Sequence, residues 1–243
     1  MPTIFDLAYV VLFSVGLPLY GYFVFLPEFR RQVLLDPVKA RHQLWISGIV
    51  ELWLIVAVGA ALWLWFDRPW SAMKFNAPEG WRLWVGVAIV AAMLAYQGLG
   101  IAQLRRDPAA REAIRASFTG EVEHVLPRTR DELRMFTAVS VTAGFCEEFL
   151  YRGFLIWALA PWLGWWGAAG VSMACFGLGH AYQGWPGILK TGIFGAIYTV
   201  VMWLCDSIWP AIAMHVLWDA VSGVAAWIVL RGEPSTSGPK RPV

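Results

Sequence analysis

Seven apolar runs, each close to the length needed to cross a hydrocarbon core, dominate this chain of 243 residues. A membrane-spanning helix needs about 20 apolar residues, and only helices or closed barrels satisfy their backbone groups in lipid. The runs cover residues 4–26, 44–66, 81–104, 135–160, 163–182, 188–205 and 208–230. They predict an all-α fold, a polytopic transmembrane helix bundle of about seven spans. Composition closes off the alternatives: only 15% of residues are charged and 58% are hydrophobic, whereas a soluble domain carries charge on about a quarter of its positions. A net charge of +2 gives no reason to expect a nucleic-acid partner. Cys146, Cys175 and Cys205 lie in or at the edge of apolar runs and are expected as small buried residues without disulfides.

The runs divide the chain into a three-span region over residues 1–104, a cytoplasmic segment over 105–134, a four-span core over 135–230 and a disordered cytoplasmic tail over 231–243. The first run lacks a basic segment before it and is too long for a signal-peptide core, so it is expected to be retained. In the 105–134 segment, Ile114, Phe118, Val122 and Val125 recur at helical spacing among Arg and Glu, the pattern of an amphipathic helix on the membrane surface. Pro127 ends it, and Thr129 with Glu132 has the form of a capping box. Orientation follows from the basic residues, because cytoplasmic loops are enriched in Lys and Arg. With seven spans, 14 of the 19 lie in loops on one side and only Arg68, Lys74 and Arg82 on the other. The expectation is an integral protein of a bacterial plasma membrane, N-terminus outside and C-terminus cytoplasmic. Small residues from Gly164 through Gly167 and Gly170 to Ala174, and at Gly192 and Ala196, are expected to let the fifth and sixth spans approach their neighbours closely. Trp81, Trp162, Trp165, Trp166 and Trp209 suit an interfacial belt.

Ionisable residues inside spans each cost about 2.5–3.5 kcal/mol at a lone helix centre. The fourth run nevertheless holds Glu147, Glu148 and Arg152, the fifth His180, and the seventh His215 and Asp219. Glu148 and Arg152 are four apart and can pair on one helix face. Glu147, about 100° around the helix, points elsewhere. His215 and Asp219 share a face, as do Phe176 and His180, so the Phe176 ring can wall the imidazole and the substrate pocket. Lys190 is expected to snorkel to the interface, and Glu51, alone in the second run, to be a hydrogen-bonded packing residue.

A carboxylate, two imidazoles and a further carboxyl suit hydrolysis of a peptide bond, which needs a base for water, a donor for the oxyanion and an acid for the leaving amine. Glu147 is the candidate base. Two versions fit. In one, His180, His215 and Asp219 bind Zn²⁺ with water in its fourth position; in the other, Glu147 activates water directly and the imidazoles donate to the oxyanion.

Glu147-Glu148-x-x-x-Arg152, Phe176-x-x-x-His180 and His215-x-x-x-Asp219, in that order, resemble the motifs of the CPBP intramembrane proteases, the CAAX prenyl endopeptidase and bacteriocin-processing group. The likeness covers residues 132–230. It implies cleavage of a membrane-associated or lipidated peptide in a cavity open to the cytoplasm. It further implies that Glu147 is the catalytic glutamate, Glu148 and Arg152 its motif neighbours, His180 and His215 the two histidines and Asp219 the last motif position. The family carries Asn or Asp at that position; an ionised Asp can only accept hydrogen bonds, which favours the zinc version or a protonated carboxyl. Other functions are a non-proteolytic immunity or regulatory protein of the same fold, or a transporter with an acidic pathway. The transporter lacks support, because no internal repeat of hydropathy is present.

Overall fold

The computed structural model describes residues 1–118 and 120–232. The tail expected over 231–243 falls outside them, apart from Arg231 and Gly232 in a turn. Six helices are long and apolar enough to cross a membrane, by length and composition: Ile4–Leu35, Pro37–Trp65, Trp81–Arg106, Arg130–Gly179, Ala181–Cys205 and Trp209–Leu230. The described residues contain no strand.

Arg130–Gly179 is not one rod. Gly164 has φ 66° and ψ 165° three residues after Pro161, a backbone open to glycine alone. Beyond it the chain doubles back: the Ser172 hydroxyl donates to the Tyr151 carbonyl at 2.7 Å, and the Phe176 and Tyr151 rings meet edge to face at 5.2 Å. Residues 130–163 thus form one leg, here called the Glu147 helix, and 165–179 the return helix, about 22 Å long at 1.5 Å per residue. The structure thus has six helices of membrane-spanning length against about seven expected, because the fourth and fifth apolar runs lie on the two legs of this one folded helix.

Local chemistry sets the helix starts. Capping boxes at Thr3 with Asp6 and at Thr129 with Glu132 open the first helix and the Glu147 helix. Asp36 caps the second helix with Pro37 at its first position. The amphipathic segment is not the single helix expected. It is Pro108–Ser117 followed by Glu121–Val125, with Phe118 extended and Gly120 at φ 61° between them. The left-handed Gly120 makes the break and folds the short helix back, so that Phe118 and Val122 on either side of it share one cluster with Leu126, Ala226 and Leu230, and Val125 reaches Leu26, Phe29, Val33 and Ala40. Of the small residues, Gly192 lies against the return helix, where a Cβ on Gly177 would come 3.4 Å from the Gly192 Cα. Gly164 is the turn, and the tightest approach to Gly184–Cys205 is at Gly177, where a Cβ would lie 2.8 Å from the Ile188 carbonyl.

Ion pairs tie the helix ends together at two opposite ends of the bundle. At one end Arg68 holds the buried Asp6 with two hydrogen bonds of 2.8 Å, and Lys74 and Arg82 both pair with Asp206. There the Ile208 N–H donates to the Lys74 carbonyl and the Ser207 hydroxyl to the Asn76 carbonyl. At the other end the buried Arg41 pairs with Glu132, whose second oxygen accepts from the Arg128 and Thr129 N–H groups. All three basic residues of the sparsely charged side therefore meet carboxylates.

The Lys74 ammonium hydrogen-bonded to Asp206, with Arg82 beside it, outweighs partial burial and holds that carboxyl below its ordinary value. Its contribution is therefore complete above the unfolded carboxylate range, about 3.9, and is lost as pH falls through the lower folded value. Asp206→Asn keeps a residue type suited to the left-handed backbone there, φ 51°. The variant is expected to be roughly 0.2–1 kcal/mol less stable at neutral pH, with the gap closing on acidification, as read from thermal unfolding across pH.

The Glu147 helix packs closely on Trp209–Leu230. A Cβ at Gly144 would lie 2.5 Å from Val216 Cγ2 and 2.8 Å from the Val216 backbone nitrogen. Backbone cannot yield as a flexible side chain can, so Gly144→Ala is expected to destabilise the bundle by roughly 1–3 kcal/mol, measurable by thermal unfolding in detergent.

Candidate active site

Glu147 is the last residue of an α-helical stretch, and the next eight residues, Glu148–Leu155, form a buried π-helical segment. Such i→i+5 segments are rare and recur at functional sites. The segment sends its two leading carboxyls to different places. Glu148 has no exposed side-chain surface, whereas Glu147 is 17% exposed and lines a cavity.

His215 is the junction. Its Nδ1 lies 2.9 Å from Glu148 Oε1. Its Nε2 lies 3.7 Å from Glu147 Oε2 and 3.6 Å from Asp219 Oδ2. A carboxylate at Nδ1 places a proton on that nitrogen and turns Nε2 toward the cavity carboxyls. Arg152 sits 3.1 Å from the same Glu148 oxygen, buried, as an ion pair whose angle does not make a hydrogen bond. Its guanidinium carbon lies 4.1 Å from the Phe176 ring centroid and 5.6 Å from that of Tyr198. Gly195 makes room for it: a Cβ there would come 2.8 Å from Arg152 Nη2 and 3.0 Å from Phe176.

His180 ends the return helix. Its Nδ1 is 2.9 Å from the Phe176 carbonyl; a carbonyl only accepts, so Nδ1 carries the proton and neutral His180 presents a lone pair on Nε2. The Phe176 ring stands edge to face with His180 at 5.0 Å and with His215 at 5.9 Å. Phe176 thus lies between the two imidazoles, not against one alone.

The cavity measures about 590 Å³. Glu147, His180, His215 and Asp219 all line it, and Phe13, Leu17, Phe25, Leu26, Trp45 and Leu52 form an apolar arm. Glu121 and Val122, from the end of the bundle that holds Arg41 and Glu132, also border it. All six expected catalytic residues are therefore within one locality, four on the cavity wall and two, Glu148 and Arg152, behind it. Among the described residues no three His, Cys, Asp or Glu side chains are grouped to hold a metal ion.

Three residues have roles that the motifs did not indicate. The Tyr198 ring stacks on His215 at 5.0 Å and 24°. No spacing links them, because they lie on different helices. Glu51 and Lys190, expected as a packing residue and an interfacial snorkel, both line the cavity. Glu51 has no hydrogen-bond or ion-pair partner among the described residues. Its isolation in an apolar run was the available signal.

Residues 129–221 match the family model described as type II CAAX prenyl endopeptidase Rce1-like. The matched stretch opens at the capping Thr129 and contains every motif residue from Glu147 to Asp219. It supports the CPBP/CAAX protease family as the one this chain resembles. No curated protein and no solved structure matches the chain.

Proposed function

We propose that the chain is a CAAX-type intramembrane endopeptidase that hydrolyses a peptide bond of a membrane-associated or lipidated peptide, with Glu147 as general base. The observation that carries this reading is the pair of adjacent carboxyls with opposite surroundings, Glu147 on the cavity and Glu148 sealed behind His215. A base must reach water, and an orienting carboxylate must be shielded from it.

In this mechanism a water molecule enters the cavity, and Glu147 takes its proton as oxygen attacks the scissile carbonyl. The Nε2 lone pair of His180 accepts the water's second hydrogen bond. His215, held through Nδ1 by Glu148, carries a proton on Nε2 as well, and this N–H hydrogen-bonds the developing oxyanion without transferring its proton. Asp219 steadies that Nε2 as a carboxylate, or donates beside it when protonated. Glu147 then returns its proton to the leaving amine, so the proton balance closes. Arg152 compensates the Glu148 charge, and Phe176 with Tyr198 keeps both imidazoles in place. The apolar arm suits the hydrocarbon part of the substrate. The cavity opens on the side that carries most basic residues, so we assign that side and the C-terminus to the cytoplasm.

Mass spectrometry of peptides from membranes with and without the protein tests the reading: new C-termini are expected only with the active chain. Products independent of the protein would defeat it. The zinc version is tested on the purified enzyme by metal analysis and chelation. With Glu147 activating water directly, turnover is expected to persist at substoichiometric zinc, and loss of activity restored by Zn²⁺ would replace that role with zinc catalysis.

A further inference from the structure

A second cavity, about 760 Å³, lies outside the site at the ends of three helices. Its volume falls in the range of ligand pockets, roughly 300–1,000 Å³. Arg105 from the end of the third helix, Arg111 and Arg115 from Pro108–Ser117, and Arg231 just beyond Leu230 all line it, against one carboxylate, Glu112. Arg111 Nη1 is committed to the Leu104 and Arg105 carbonyls at 2.9 and 3.3 Å, which fixes the guanidinium at the helix end. Arg231 lies over the Trp227 ring at 5.3 Å. The Arg105 side chain has no ion-pair or hydrogen-bond partner among the described residues.

Like charges that line one pocket repel, and an anion placed among them turns that repulsion into attraction. Guanidinium groups suit phosphate oxygens through forked N–H pairs. Position favours the same ligand: two membrane-length helices end here, Trp227 stands at the level of an interfacial aromatic, and Pro108–Ser117 has the amphipathic pattern of a surface helix. Basic pockets between helices on the cytoplasmic side are where acidic headgroups bind.

We infer that this pocket binds a phosphate group, that of an anionic phospholipid at the membrane surface. Lipid binding there would clamp the Pro108–Ser117 helix to the end of the helix that carries His215 and Asp219, without touching the catalytic groups.

The test uses the full chain, delipidated in detergent and titrated with phosphatidylglycerol or phosphatidylcholine under native mass spectrometry, for the parent and for Arg105→Gln/Arg231→Gln. The parent is expected to retain phosphatidylglycerol over phosphatidylcholine, and the double variant to lose that preference by roughly tenfold or more. Both should unfold at the same temperature in phosphatidylcholine nanodiscs. If the variant fails that control, Arg105→Lys/Arg231→Lys, which keeps the charges, must retain the preference. Inorganic phosphate is the second arm: no displacement of phosphatidylglycerol at millimolar phosphate supports the lipid as source, and complete displacement assigns the site to a soluble phosphate and overturns the lipid. Equal retention of the two lipids by the parent, or an unchanged preference in the double variant, overturns the site.

Discussion

Glu147→Gln should leave the protein folded and lower kcat/KM by roughly 10²–10⁴-fold, the range supplied by a positioned general base. The amide keeps the shape of the carboxylate but cannot take a proton from water. Its effect on stability should be small, because Glu147 is partly exposed to the cavity and its nearest ionic partner, His215 Nε2, is 3.7 Å away. Turnover of a membrane peptide and thermal unfolding, measured on one preparation, separate these effects. A variant that cleaves as fast as the parent would remove Glu147 from the mechanism, whatever the family likeness suggests.

Arg152→Met should be strongly destabilising, by about 3–5 kcal/mol, because it takes the guanidinium from the buried Glu148 carboxylate and leaves His215 as its remaining ionic partner. Arg152 and Glu148 both lack exposed side-chain surface, so water cannot take the place of the lost partner. Methionine fills much of the space beside Phe176, which keeps cavity formation from dominating the result. Adding Glu148→Gln removes the carboxylate charge, and the double variant should recover most of the lost stability. Its activity should stay on the order of 10² below the parent, since His215 no longer has a charged acceptor at Nδ1. Denaturant unfolding and turnover on the single and double variants check both halves. Recovery of activity along with stability would show that Glu148 only balances Arg152 and does not orient His215.

Much of the site was legible in the sequence because its parts are local. Residues four apart on a helix share a face, so the pairs Glu148 with Arg152 and Phe176 with His180 follow from spacing, and both are in contact. The 100° step between Glu147 and Glu148 likewise separated a cavity-facing carboxyl from a buried one. His215 shows where that logic stops. Asp219, on its own helix, lies 3.6 Å away, yet Glu148 of another helix comes within 2.9 Å and takes the other ring nitrogen. The choice depends on how closely two helices pack at Gly144 and Val216, and no residue spacing records that distance.

The sequence by itself determined a helical membrane bundle, the places where its helices lie and the side on which most charge collects. Hydrophobic run length and the scarcity of charge are properties of the chain before it folds. Only the tertiary structure decided that Gly164 turns the fourth helix back, that Tyr198 stacks on His215, that Glu51 lines the same cavity as Glu147 and that four arginines meet at one pocket. Each of these depends on contact between segments distant in the chain, where periodicity carries no information and the fit of side chains between helices sets the outcome.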